Sequence, residues 1–213
     1  MRRLTLVDSV FLLGHDEFTG KPVLTRTMLG IGLGGAVLCD LLLADRITVE
    51  RKKIQPISHL PTGMDTADQV LSRIRAERDK HLIRAWVDHL RDDLPEIVTA
   101  NLLRDGVVSH EIDRVLLRRI HRYPPVDLLT STSARSHARS AVLGRTRPDP
   151  HSASLALLAW TIGVDDLYEG ELDRAQVRKW MDETTRAMPR RIADVISGVE
   201  AVGAAVVYTG DRR

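Results

Sequence analysis

Cysteine is almost missing from this chain: 213 residues hold one, Cys39. A single thiol closes no internal disulfide, and no Cys/His pair has the spacing of a zinc site. A reducing, cytoplasmic setting without a structural metal is therefore expected. Cys39 sits in an apolar run, where a small buried residue is the simpler reading than a nucleophile. Aromatic residues make up only 4%. Leu, Val, Ile and Ala must then fill the interior, which favours helix packing over a β-sandwich. A charge excess is also lacking: the net charge is +2, too mild to argue for nucleic acid. Nor is there a long clean apolar run. Asp8 interrupts the apolar segment after Arg2-Arg3, and Gly14-His15-Asp16 ends it, unlike a signal peptide. The stretch from Met28 to Ala44 carries Gly30, Gly32, Gly34, Gly35 and Asp40, and falls short of a convincing membrane span. Any membrane contact is expected from outside the bilayer.

The balance that remains, 43% hydrophobic and 28% charged residues, is that of a globular chain. No repeat, low-complexity tract or long linker divides it, so residues 1–213 read as a single domain. Helical periodicity dominates. Helices are expected over Leu4–Leu13, Thr25–Asp45, Asp65–Glu77 (capped by Thr62 or Asp65), Leu82–Leu90 and Leu94–Arg104, with Gly106 just past the end of the last. Ile83, Trp86, Val87 and Leu90 share one face. Arg46–Glu50 alternates as a half-buried strand does, and a second short edge segment follows near Pro56. Val107-Val108, a polar turn over Ser109–Asp113, and Val115-Leu116-Leu117 suggest a β-hairpin stopped by Tyr123-Pro124-Pro125. Thr130–Ser133 looks like a cap and turn. Helices then return over Ser131–Gly144, Ser152–Ile162, Arg174–Met188 and Arg191–Val207. The fold class is mostly α, a single-domain helical bundle with a projecting β-hairpin.

Charge is uneven along this plan. From Arg104 to Arg147 the chain has nine arginines against four carboxylates. Arg114, Arg118, Arg119 and Arg122 fall on the hairpin, and Arg135, Arg139, Arg145 and Arg147 follow it. A solvated face would explain them. An anionic surface would explain them together with Leu116-Leu117, because apolar side chains insert while cations hold headgroups.

Gly30, Gly32 and Gly35 fit G-x-G-x-x-G, with Glu50 where a ribose-binding carboxylate would lie. A dinucleotide-binding enzyme built on Gly30–Gly35 is thus one alternative. Against it, Thr25–Leu29 is not a buried strand, and no strand–helix–strand repeat follows Glu50. Close helix packing accounts for the same glycines. His15-Asp16, His110-Glu111 and Asp165-Asp166 with Glu169 are polar clusters without a nucleophile or ligand partner. The eight histidines are scattered and read as mostly surface residues. No catalytic residue, cofactor or metal ligand is assigned.

Several segments, in order, resemble the Golgi phosphoprotein 3 family. They are Leu4-Thr5-Leu6-Val7-Asp8-Ser9-Val10-Phe11-Leu12-Leu13-Gly14, the glycine helix Gly32–Leu41 with the strand Arg46–Glu50, Asn101–Val108, His121-Arg122-Tyr123-Pro124, Leu155–Gly163 and Ala204–Val207. The resemblance implies a non-enzymatic helical domain that binds phosphatidylinositol 4-phosphate on a basic face. It implies a hairpin used in membrane contact and self-association, and an adaptor role. Its Arg-, Ala-, Leu- and Val-rich composition suggests a bacterial, actinobacterial member. The family's headgroup pocket has a tryptophan and an arginine on the glycine helix, which fall here on Thr25 and Gly34. Its two later arginines fall on Asp92 and Pro95. All four positions depart from the pattern, and each lost charge-assisted bond removes roughly 1.5–3 kcal/mol. Arg26 and Arg91 lie beside altered positions and are the substitutes expected. The pocket candidates are Thr25, Arg26, Gly34 and Arg91; the membrane or oligomer hairpin is Val115, Leu116, Leu117, Arg118, Arg119 and Arg122. The expected partner is an anionic phospholipid at a membrane surface. A homo-oligomer through the hairpin, or a protein-binding scaffold that has lost the lipid and holds an unidentified partner, is the other reading.

Overall fold

A computed structural model describes residues 4–115, 118–144, 148–168 and 172–210. Its described residues are mostly helical: α1 (Leu6–Leu13), α2 (Arg26–Leu43), α3 (Asp65–Ala76), α4 (Ile83–Leu90), α5 (Leu94–Arg104), α6 (Leu128–Leu143), α7 (Pro150–Thr161), α8 (Arg174–Ala187) and α9 (Arg190–Gly210). Two antiparallel strand pairs interrupt them, β1 (Ile47–Glu50) with β2 (Lys53–Pro56) and β3 (Glu111–Val115) with β4 (Arg118–Arg122).

All eight residues of α1 are buried, an unusual state for so short a helix. Its start is closed twice. Thr5 and Asp8 form a capping box, each side chain accepting the other's backbone N–H at 3.1 Å. The Asp40 carboxylate, from α2, accepts the Leu6 and Val7 N–H groups at 3.2 Å.

α2 is the axis of the bundle, in contact with α1, α4, α7 and α9. It is long and apolar enough to cross a membrane by length and composition, yet 78% of it is buried inside the protein, as befits a core helix. Its glycines set the approach of its neighbours. A Cβ on Gly30 would lie 2.0 Å from the Arg91 carbonyl oxygen of α4's end, and one on Gly35 2.4 Å from Val199 of α9. The dinucleotide alternative loses its structural basis here. The glycines lie within a helix, and among the described residues no strand precedes it and both sheets are antiparallel pairs.

The remaining helices follow their apolar stripes. α3 buries Ala67, Val70, Leu71 and Ile74, and α4 buries Ile83, Trp86, Val87 and Leu90. α6 meets α7 through small residues, Ala134, Ala138 and Ala141 against a face rich in alanine and leucine. Gly106 takes φ +66° just beyond α5, as a helix-ending glycine does.

Three local expectations are corrected. Neither Thr62 nor Asp65 caps α3. Met64 holds the cap position, and Asp68 folds back to accept the N–H groups of Thr62 and Gly63. Thr130–Ser133 is helix, not turn: Asp127 caps α6, and the Ser131 and Thr132 hydroxyls donate back to the Leu128 carbonyl. The hairpin strands also lie elsewhere. Glu111 and Asp113, read as turn residues, are held in strand by ion pairs to Arg122 at 2.8 and 3.0 Å. Val108 is buried and bridges Pro125 instead.

The β1–β2 connection is tight. Arg51 and Lys52 alone link Glu50 to Lys53, with φ of +51° and +62°. Positive φ at both central residues is normally given to Asn-Gly, and other side chains there cost about 1–3 kcal/mol each.

Candidate functional site

A pocket of about 510 Å³ opens where the end of α1, the start of α2, one face of α5 and strand β4 converge. Its walls are mainly apolar, with Leu24, Leu29, Leu103 and Ile120 beside Phe11 and Tyr123. The polar groups on its lining are His15, Arg26, Glu96, Thr99, Arg119 and His121.

An aromatic column joins α1 to the hairpin base along this pocket. Phe11 stacks on His15 with ring centres 4.3 Å apart, and Tyr123 meets both edge-on. His110 stacks on Tyr123 at 5.3 Å and on His121 at 5.1 Å. The His110 Nε2–His121 Nδ1 distance is 2.9 Å, a bond in which one ring must donate and the other accept. His15 is only 4% exposed, so it departs from the expectation of surface histidines. Its Nδ1 lies 2.7 Å from the Phe11 carbonyl oxygen, which places the proton on Nδ1. Burial lowers its pKa, partly opposed by that bond.

The loop before α2 is clamped to the hairpin base. Tyr123 donates its N–H to the Gly20 carbonyl, and Gly20, at φ +63°, leaves a Cβ position 2.1 Å from Pro124 N. Only glycine fits there.

The pocket residues expected from sequence have these places. Thr25 caps α2, its hydroxyl accepting the Met28 N–H at 3.2 Å. Arg26 forms a two-pronged pair with Glu96, Nε–Oε1 3.0 Å and Nη2–Oε2 2.5 Å, and also donates to the Asp92 carbonyl. Arg91 pairs with Asp88 at 2.9 Å and reaches Asp92 at 3.7 Å. Arg26 and Arg91 therefore face three carboxylates, Asp88, Asp92 and Glu96, so this corner has no cationic surplus. The α2 start and the α4–α5 junction do come together, as the shared contacts of Arg26 require. Gly34 does not join them: it is buried farther along α2, with Val87 of α4 as its neighbour.

On the hairpin, the register separates two faces. Arg122 is neutralised by Glu111 and Asp113. Arg114 sits opposite Arg119 on the other face, both exposed, and among the described residues neither has an ion pair. Like charges directly opposed in a strand pair are destabilising. Ile112 and His121 share that face, and Ile112 is 49% exposed. Val115 pairs with Arg118 along the backbone. Leu116 and Leu117 lie outside the described residues.

Sequence reading missed an apolar patch beside this hairpin. Phe18, Val126, Leu128 and Leu129 are 49–69% exposed. They come from two segments joined by the Tyr123–Gly20 bond and by Ser131 donating to the Glu17 carbonyl. Phe18 stands alone between polar residues, and Leu128-Leu129 read as an ordinary helix start. A signal was present only in Val126-Asp127-Leu128-Leu129, where apolar residues gather around a cap.

Where they are described, the polar clusters singled out by sequence serve local structure; Glu169 lies outside the described residues. Asp16 holds Thr19, Glu111 holds Arg122, and Asp166 holds Arg135 at 3.0 Å. Among the described residues, no group of three or more His, Cys, Asp or Glu side chains is placed to share a metal ion. Cys39 is fully buried, and burial pushes its thiol pKa up, the reverse of an activated nucleophile.

The family comparison accords with this architecture. The family model described as Golgi phosphoprotein 3 (GPP34) matches residues 6–207, from the first residue of α1 into α9. That match spans nearly the whole sequence, and the chain belongs to the Golgi phosphoprotein 3 (GPP34) family.

Proposed function

We propose that this chain is a non-enzymatic, adaptor-like peripheral membrane protein that docks on anionic phospholipid through its hairpin and the apolar patch beside it. The observation that carries the reading is that the hairpin exposes Arg114 and Arg119, without an ion pair among the described residues, while the segments joined at its base expose Phe18, Val126, Leu128 and Leu129. Exposed apolar side chains gain by entering the interfacial region, and nearby arginines gain by meeting lipid phosphates. Family membership supports the same use of the surface. Arg26 and Arg91 are committed to carboxylates, so the headgroup preference follows charge rather than inositol phosphate recognition.

Vesicle co-flotation tests this. Neutral vesicles, vesicles with generic anionic lipid and vesicles with phosphatidylinositol 4-phosphate are compared at low and physiological salt. The expected result is capture by both anionic compositions, weakened by salt because exposed charges are screened over about 8 Å at physiological ionic strength. Arg114→Glu with Arg119→Glu, and separately Leu128→Asp with Leu129→Asp, should each release the protein. Binding unchanged in both variants would remove this surface from membrane contact. Absence of capture, with a dimeric mass that the Leu128/Leu129 variant makes monomeric, would assign the patch to self-association instead.

A further inference from the structure

A second cationic site lies away from the hairpin and shares no lining residue with its pocket. A cleft of about 830 Å³ separates the β1–β2 turn from the start of α9. Arg51 and Lys52 line it from the turn, and Arg190 and Arg191 from the helix; Asp194 is the one carboxylate on its lining. Arg191 is paired with Asp45 at 3.0 Å. Arg51, Lys52 and Arg190 are exposed, and among the described residues none of them has an ion pair.

Two features separate this cluster from a solvated face. It is concave, and a cleft with four cationic side chains against one carboxylate focuses positive potential on whatever enters. The turn is also built against local preference. Arg51 and Lys52 occupy two left-handed positions where Asn-Gly would be relaxed, so side-chain charge is retained there at the expense of backbone comfort. The turn is fixed in place, because the Lys52 carbonyl accepts the Ile83 N–H at 3.0 Å and Lys53 bridges Leu82. A preset pair of cations facing a third across a cleft suits a compact multivalent anion.

We infer that the cleft between the Arg51-Lys52 turn and Arg190 is a binding site for a phosphorylated ligand carrying two or more charges on adjacent phosphate oxygens, either a soluble phosphate ester or diphosphate or the phosphorylated headgroup of a lipid. Lys52 and Arg51 grip one side of the phosphate and Arg190 the other. This does not depend on the hairpin acting at a membrane.

Calorimetric titration of the full chain with inorganic pyrophosphate at physiological ionic strength tests it. The wild type should bind at one saturable site. Arg190→Gln and Lys52→Gln should each weaken binding about tenfold, as expected for loss of one charge-assisted contact. The double variant Arg51→Asn with Lys52→Gly should abolish binding while raising the melting temperature, because it relaxes the turn; misfolding then cannot explain the loss. Arg114→Glu with Arg119→Glu should bind pyrophosphate as the wild type does. The source is read from flotation on vesicles containing phosphatidylinositol 4-phosphate: reduced capture of Arg190→Gln identifies a lipid headgroup, and unchanged capture identifies a soluble ligand. No saturable binding by the wild type, or equal binding by the relaxed-turn variant, would overturn the assignment.

Discussion

Glu96 grips Arg26 by two bonds, 3.0 and 2.5 Å long, at the corner where the start of α2 meets α5. The pair is more than half exposed, so its contribution to stability is at most about 1 kcal/mol. Under the proposed lipid docking the pair matters more for binding, since Glu96 takes up a cation that a phosphate would need. Glu96→Gln should leave the denaturation midpoint nearly unchanged and increase capture by vesicles containing phosphatidylinositol 4-phosphate about tenfold. No increase would exclude Arg26 as a latent headgroup ligand.

Two glycines of α2 should respond in opposite ways to the same substitution. Gly30→Ala places a methyl group 2.0 Å from the Arg91 carbonyl oxygen, a backbone atom that cannot step aside. A loss of about 3 kcal/mol is expected, from overpacking. At Gly34 the nearest atom is 3.4 Å away, and alanine's helix preference of about 1 kcal/mol offsets the tighter contact. Gly34→Ala should be neutral or slightly stabilising in urea denaturation.

Asp40 should impose a pH dependence of unusual sign. Burial raises its pKa to about 7, against the two amide donors that favour its charge, and Asp8 adds to the rise. The native state therefore holds this proton up to near pH 7, whereas the unfolded chain releases it near pH 4. The associated stability is complete below about pH 4 and is lost as pH rises to 7, by at most about 1.4 kcal/mol per unit. Asp40→Asn should flatten that slope. Urea denaturation of both proteins at pH 5 and pH 7.5 measures the difference.

His15 should resist protonation, because burial holds its pKa below the ordinary histidine value. In a proton NMR titration its ring should protonate only below the ordinary histidine range. A His15 resonance that titrates with exposed rings would mean the Phe11–His15–Tyr123 column is open to water.

Much of this architecture is legible in the sequence because helices announce themselves by period. The α4 stripe, the bounds of α5 and the helix-ending Gly106 follow from spacing alone. The hairpin register did not, since Glu111 and Asp113 look like turn residues until Arg122 is set opposite them, and that is a pairing across the hairpin. The cap of α3 failed for a similar reason: Asp68, inside the helix, displaced the residues that precede it. Of the residues singled out from sequence, Arg26 lines the pocket, but its partner Glu96 lies 70 positions away and only the fold brings the two together. The buried His15 and the exposed patch at Phe18 and Leu128 depend on which segments touch, which composition does not encode.

The double closure of α1 bears on how the chain assembles. Eight residues are too few to hold a helix in water, and every one of them is buried against elements made later. Its first amides wait for Asp40, and its sides wait for α6 and α7, more than a hundred residues downstream. During synthesis the most apolar segment of the chain thus emerges well before its partners and is exposed to aggregation until they arrive. Folding is expected to finish, rather than begin, at its N-terminal helix, with the slow step set by long-range closure.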